Sequence, residues 1–85
     1  METVKVKICG LTNLEDALMA VDMGADMLGF IFHPGSRRFV SPETVRAIVS
    51  AVRVSRPDVV TVGVFVNDPP DAVRQVLDFC DLHLA

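Results

Sequence analysis

Three short apolar runs, each followed by an amphipathic segment with helical spacing, constrain the fold of this 85-residue chain more than any other feature. The second and third runs are almost continuously apolar, which is typical of parallel strands covered on both faces. We predict strands over residues 4–8, 28–32 and 59–66, a helix after each, and the start of a fourth strand at 82–85. This βαβαβα order predicts an α/β fold with a parallel sheet and right-handed crossovers.

The predicted helices carry signals at their ends. Thr12 and Glu15 have the spacing of a capping box, so we predict that Thr12 begins the first helix, and Gly24 is placed to end it. Ser41 is a suitable N-cap for the second helix, and Asn67 and Asp68 are the residues predicted to cap the third. Each helix then buries one apolar stripe and leaves its charged face in solvent.

The predicted sheet leaves hydrophobic surface uncovered. Three parallel strands have two unpaired edges, and three helices give too little cover for the apolar faces. We therefore expect residues 1–85 to be a piece of a larger α/β domain, ending in the first residues of its next strand.

Composition and charge exclude several classes of protein. The chain is 51% hydrophobic with a formal net charge of −3, which argues against a disordered segment and against a general nucleic-acid-binding surface. No apolar stretch approaches the roughly 18 residues of a membrane-spanning helix, and the N-terminus carries no recognisable secretory signal. We therefore expect a cytoplasmic protein with no nucleic-acid or membrane partner and with free thiols. The spacing of Cys80 and His83 matches no common zinc motif, so we expect no metal site.

Cys9 lies where the first predicted strand meets a turn, in the segment VKICGLTN. Strand alternation puts Lys5, Lys7 and Cys9 on one face, opposite the valine and isoleucine side chains that we expect to pack on helices. An ammonium group two residues away, at roughly 7 Å, favours a thiolate, which can act as a nucleophile or a general base. The alternative interpretation is a buried, inert cysteine.

The loop HPGSRRF follows the second predicted strand and carries Arg37 and Arg38. Parallel α/β folds bind ligands at the carboxyl ends of their strands, where this loop must lie. An arginine there suits an anionic substrate, because its guanidinium binds phosphate or carboxylate through a planar fork of donors. The alternative is a solvated charged loop, and spacing does not decide which arginine would act.

Three segments together resemble the N-terminal part of phosphoribosylanthranilate isomerases. They are VKICGLTNLEDA (6–17), GADMLGFIFHPGSRRFVSPE (24–43) and VGVFVN (62–67), in this order and spacing. The resemblance implies a (β/α)8 TIM barrel of roughly 200 residues. Residues 1–85 are then the N-terminal part of that single barrel domain, comprising its first three βα units and the start of strand 4.

The same resemblance implies an activity. In the family, N-(5-phosphoribosyl)anthranilate undergoes an Amadori rearrangement to 1-(2-carboxyphenylamino)-1-deoxyribulose 5-phosphate, in tryptophan biosynthesis and without metal or organic cofactor. Cys9 matches the family's catalytic cysteine, a general base, and Arg38 matches an arginine that contacts a substrate anion. Arg37 stands where the family varies, so we leave it out of the predicted site.

Other family features are absent from the 85 residues. The catalytic aspartate, the phosphate-binding loops and the QLHG strand have no counterpart, and His83 is not the histidine of that strand. We therefore expect these residues alone to be inactive, to require the rest of the barrel, and to belong to a monomer or a homodimer. Two alternatives remain: another phosphosugar isomerase barrel, and a non-catalytic βα module that oligomerises through its open sheet edges.

Overall fold

A computed structural model describes residues 5–85 of the chain. Three strands alternate with three helices: β1 (Lys7–Cys9), α1 (Leu14–Asp22), β2 (Met27–Ile31), α2 (Pro42–Ser55), β3 (Val60–Val64) and α3 (Pro70–Cys80). The strands pair in parallel in the order β1-β2-β3, so β2 lies between the other two. The predicted element order and the predicted parallel sheet are confirmed.

One face of the sheet carries the core. Leu28 and Phe30 alternate out of β2 on this face, and both are fully buried against the helices. Since apolar burial is the main stabilising term in folding, this layer holds the strands and helices together. The helix residues that complete it are Ala17 and Val21 from α1, Val45, Ile48, Val49 and Val52 from α2, and Cys80 from α3.

The other face of the sheet is less completely covered, although Val62 at its centre is buried. Met27 and Ile31 of β2 keep intermediate exposure, as do Val60 and Val64 of β3. Every residue of β1 is exposed, and Ile8, which was expected to pack on a helix, is 38% exposed. The apolar surface that was predicted to be left uncovered therefore lies on the sheet face opposite the helices and along the β1 edge.

The three strands differ from their predicted bounds: 7–9 instead of 4–8, 27–31 instead of 28–32, and 60–64 instead of 59–66. β1 is shorter than expected, and Val4 of its predicted range lies outside the described residues. Val6 is instead held by Asp26, whose Oδ2 accepts from the Val6 N–H and whose own N–H donates to the Val6 carbonyl, both at 2.8 Å. The predicted fourth strand is confirmed in its beginning, because Leu84 forms a parallel bridge with Val62.

His83 fastens this fourth strand to β3. Its Nδ1 accepts a hydrogen bond from the Thr61 N–H at 3.0 Å, and its own N–H donates to the Thr61 carbonyl at 3.0 Å. Thr61 is buried, so these bonds satisfy backbone groups that would otherwise be costly to leave unpaired. His83 therefore has a structural role.

The cap of α1 corrects the sequence prediction. Asn13, not Thr12, is the N-cap: its Oδ1 accepts from the Asp16 N–H at 2.8 Å, and its Nδ2 donates to Asp16 Oδ2 at 3.0 Å. The reciprocal pair is thus Asn13 with Asp16, one residue later than Thr12 with Glu15, because the helix begins at Leu14. The helix ends at Asp22 as expected, and Gly24 follows at φ +100°.

The caps of the other two helices give one confirmation and one correction. Ser41 caps α2 as predicted, with its hydroxyl accepting from the Thr44 N–H. Neither Asn67 nor Asp68 caps α3, because Pro69 occupies the cap position and forms no side-chain bond. The Asp68 Oδ2 instead accepts from the Val66 N–H at 3.3 Å. Asp68 therefore bonds to the backbone just after the end of β3, and not to the first turn of α3.

Within residues 5–85, no helix is both long and apolar enough to cross a membrane.

The position of the α1 cap predicts a stability difference between two neighbouring alanine variants. Asn13→Ala removes the acceptor for the Asp16 N–H, so we expect the free energy of unfolding to fall by about 1 kcal/mol. Thr12→Ala precedes the cap and should cost less than about 0.5 kcal/mol. Urea unfolding followed by circular dichroism measures both, and a larger loss for Thr12→Ala would restore the original capping box.

Candidate functional site

Cys9 ends β1 with an exposed thiol at the carboxyl edge of the sheet. Its partner across the strand pair is Gly29 of β2. A β-carbon built on Gly29 would lie 2.8 Å from Cys9 Sγ and 3.3 Å from Cys9 Cβ. The thiol therefore occupies space that any other residue at position 29 would fill.

The turn after Cys9 is anchored to the same glycine. The N–H groups of Gly10 and Leu11 both donate to the Gly29 carbonyl, at 3.1 and 3.3 Å. Gly10 has a φ of +85°, in the left-handed region where side chains are strained. Leu11 is buried and fixes the start of the turn in the core. The backbone around the thiol is thus defined by bonds to β2.

Arg38 reaches this turn from the next loop. The loop is closed by the Arg38 N–H, which donates to Ser36 Oγ at 3.1 Å, and by a bridge between Phe39 and Ile31 of β2. A β-carbon built on Gly10 would lie 2.6 Å from Arg38 Cδ and 3.1 Å from Arg38 Nη1. The arginine side chain therefore lies directly on the glycine that follows Cys9, so a cation and the thiol share one corner of the fold.

A groove of about 620 Å³ contains both predicted site residues. Cys9 and Arg38 line it, together with Arg37 and with Asp16 of α1. Its remaining lining is mainly apolar and includes Ile8, which alternates with Cys9 along β1, so the groove wraps round the open strand edge. The groove therefore combines a thiol and two guanidinium groups with a mainly apolar wall.

Both arginines of the loop reach the groove, but their surroundings differ. Both are exposed and both line the groove, but it is the Arg38 side chain that lies against Gly10. The residue named by resemblance is therefore the one beside the Cys9 turn. Lys7, the predicted neighbour of the thiol, pairs with Met27 and lies two residues before Cys9 on the same strand face.

The second cysteine is structural. Cys80 is fully buried, and its Sγ donates to the Pro42 carbonyl at 3.3 Å. Burial raises the pKa of the Cys80 thiol, with Glu43 adding to the shift and Arg46 opposing it. A thiol that stays protonated and enclosed is unsuited to act as a base. Among residues 5–85, no group of three or more histidine, cysteine or acidic side chains is arranged to hold a metal ion.

Sequence reasoning missed the two glycines beneath the site. Gly29 and Gly10 were each visible in the sequence, but nothing local signals that position 29 lies opposite Cys9 or that Arg38 packs on position 10. Both facts depend on strand register and on the path of a loop between distant residues.

The family profile of N-(5'phosphoribosyl)anthranilate (PRA) isomerase matches residues 6–84 of this chain. The chain belongs to this family. It is 51% identical over 81 residues to the PRA isomerase of Pelobacter propionicus, a match that covers 95% of the chain and 37% of the relative. The predicted family resemblance is therefore confirmed, for a chain that spans well under half the length of its relatives.

Crystal structures of PRA isomerases have the same arrangement of strands and helices. Monomers of the dimeric enzyme from Thermotoga maritima match with a TM-score of 0.84 and 50% identity, covering 94% of this chain and 39% of theirs. A PRA isomerase in complex with reduced 1-(o-carboxyphenylamino)-1-deoxyribulose 5-phosphate matches with a TM-score of 0.89 and 49% identity, covering 94% and 40%. These neighbours are TIM barrels, and the six elements described above correspond to the first three βα units.

The contrast between the two cysteines predicts selective labelling. We expect iodoacetamide to modify Cys9 in the folded chain and to leave Cys80 unmodified, because only Cys9 is exposed. In urea, where the core opens, both thiols should react. Timed labelling followed by peptide mass spectrometry measures the two rates, and comparable rates in the folded chain would contradict the enclosure of Cys80.

Proposed function

We propose that this chain forms the N-terminal part of a PRA isomerase that converts N-(5-phosphoribosyl)anthranilate to 1-(2-carboxyphenylamino)-1-deoxyribulose 5-phosphate in tryptophan biosynthesis. The observation that carries the proposal is the meeting of Cys9 and Arg38 at Gly10, within a chain of this family. The relative that holds a reduced carboxyphenylamino-deoxyribulose phosphate supports a phosphorylated sugar derivative as the ligand.

Cys9 acts as the general base in this proposal. A general acid from the remainder of the barrel protonates the furanose ring oxygen, and the C1′–O bond breaks as the nitrogen lone pair forms a C=N bond. The positive nitrogen of this Schiff base makes the C2′ proton acidic. The Cys9 thiolate takes that proton, and the electrons of the C2′–H bond form the C1′–C2′ double bond of a neutral enolamine. Tautomerisation then gives the ketone. The exposed thiol at the end of β1 supports this role, since a base must reach the proton that it removes.

Arg38 binds an anionic group of the substrate and fixes its orientation. A guanidinium offers donors in a planar fork, which suits a carboxylate or a phosphate. Its contact with Gly10 keeps this cation next to the residue that follows the base. Positioning of this kind lowers the activation free energy, because a substrate that is already held in place loses less entropy on reaching the transition state.

Further parts of the site belong to the remainder of the barrel. The family implies a general acid and phosphate-binding loops that match no residue of this chain, and no metal or organic cofactor. We propose that residues 1–85 contribute the base and one anion contact to a single incomplete barrel domain, and that they are inactive alone. The less completely covered face of the sheet supports the need for further cover. A homodimer of the whole protein in the cytoplasm is also proposed, since a Thermotoga maritima relative is dimeric.

A hybrid barrel tests the proposed function. Residues 6–84 of this chain replace the matching segment of the Thermotoga maritima protein, which supplies the other strands, and conversion of the fluorescent substrate is followed. We expect the hybrid to be active and the 85-residue chain alone to be inactive. A folded hybrid without activity would contradict the proposed function, and turnover by the chain alone would contradict its dependence on the rest of the barrel.

Replacing the base should remove turnover from the hybrid. We expect Cys9→Ala to lower kcat by about 10²-fold to 10⁴-fold, the usual contribution of a general base. Cys80→Ala is the matched control, because it removes a thiol from the core instead of the site. It should leave kcat largely unchanged, provided that the hybrid remains folded. If Cys9→Ala stays within about tenfold of the parent hybrid, Cys9 is not the base.

The two arginines should differ in their effect on substrate binding. We expect Arg38→Ala to raise KM by roughly tenfold to a hundredfold, the value of a charge-assisted hydrogen bond, with a smaller effect on kcat. Arg37→Ala is the matched variant from the same loop and should change KM by less than about threefold. Equal effects of the two substitutions would assign them a shared, general attraction for anions.

A further inference from the structure

We propose that Gly29 and Gly10 are positioning residues of the site, each required by one functional side chain. Gly29 leaves the space that the Cys9 thiol occupies, and Gly10 leaves the space that Arg38 occupies. This inference rests on the proposed function for its catalytic consequence, but the packing that it describes can be measured without any activity.

The contact at Gly29 acts on the reactive atom itself. An added β-carbon would lie 2.8 Å from Cys9 Sγ, closer than real β-carbons approach their neighbours, whereas Cys9 Cα and Cβ would each be 3.3 Å away. The thiol is the far end of a short side chain, so it can yield by rotating about χ1. Such a rotation should change the free energy of unfolding little, but it moves the sulfur atom. Proton abstraction depends on the position of that atom.

The contact at Gly10 acts on the cation. The added β-carbon would lie 2.6 Å from Arg38 Cδ, in the middle of the arginine side chain, and 3.1 Å from Nη1. The arginine must therefore lift away from the turn to relieve the overlap. Gly10 follows the end of β1 and Gly29 lies within β2, and the two are linked by the bond from the Gly10 N–H to the Gly29 carbonyl. Together they leave open the two spaces that the thiol and the guanidinium side chain occupy.

The chain itself provides a matched control for each glycine. Gly24 has a φ of +100°, similar to the +85° of Gly10, but a β-carbon there would meet nothing within 4 Å. Gly63 lies within β3 as Gly29 lies within β2, and the atoms nearest to a β-carbon there would belong to Phe65, Leu82 and Phe32. Gly24→Ala therefore reproduces the backbone strain of Gly10→Ala, and Gly63→Ala reproduces the crowding of a strand glycine, both away from the site.

The first measurement uses the 85-residue chain. Three-bond couplings of Cys9 in NMR spectra report its χ1 rotamer, and we expect Gly29→Ala to change the dominant rotamer while Gly63→Ala does not. The ratio of Cys9 alkylation rates with iodoacetate and iodoacetamide reports the nearby positive charge. We expect Gly10→Ala to lower this ratio by roughly twofold to fivefold, the effect of one nearby unit charge in water, and Gly24→Ala to preserve it.

The second measurement uses the hybrid barrel. Gly29→Ala should lower kcat by about tenfold to a hundredfold, since a misplacement of the reacting group near 1 Å has this effect. Gly10→Ala should mainly raise KM, in the same sense as Arg38→Ala. Gly63→Ala and Gly24→Ala should leave both constants near those of the parent hybrid.

The outcomes separate this inference from the proposed function. An unchanged Cys9 rotamer in Gly29→Ala, an unchanged alkylation ratio in Gly10→Ala, or equal kinetic losses in a variant and its control would overturn the positioning roles. A parent hybrid that is folded but inactive would overturn the function, while the rotamer and the alkylation ratio would still decide the packing. If Gly29→Ala fails to fold, the double variant with Cys9→Ala should fold again; failure of the double variant would also overturn the role of the thiol contact.

Discussion

The parallel pairing of β1 with the first three residues of β2 is the constraint on which the site depends. The Gly29 carbonyl receives the N–H groups of both Gly10 and Leu11, so the chain turns away from the sheet immediately after the thiol. Because Cys9 stands opposite Gly29, its sulfur lies on the strand face that Leu28 does not share. A slip of one residue in this register would turn the thiol to the opposite face of the strand, toward the helices.

The two faces of the sheet have different roles. The helix face is a dry core, in which Leu28 and Phe30 are fully buried, and it supplies the stability of the fragment. The opposite face keeps Met27 and Ile31 half-exposed, and β1 has an open edge. This imbalance agrees with a chain that spans 37% of the length of a relative in which further strands complete the barrel. The site lies at the carboxyl end of β1, between the buried helix face and the exposed edge of the sheet.

Periodicity and local signals were sufficient for most of the fold. Apolar runs gave the strands, the spacing of apolar residues gave the helices, and Ser41 gave the start of α2. The wrong predictions concern the caps of α1 and α3. Neighbouring polar side chains there could each accept a backbone hydrogen bond, and residue spacing does not decide between them. Thr12 and Asn13 both offer an oxygen to α1, and Asn13 wins because the helix begins one residue later. Asp68 serves the Val66 N–H instead of α3.

By itself, the sequence determined the βαβαβα order, the family, and the nature of the thiol and the cation, because these follow from periodicity and from contiguous motifs. Only the tertiary structure decided that Arg38, rather than Arg37, packs beside the Cys9 turn, and that Gly29 makes room for the sulfur. The physical reason is distance along the chain. Contacts between residues 20 or more positions apart depend on strand register and loop path, which are fixed only when the shared core packs.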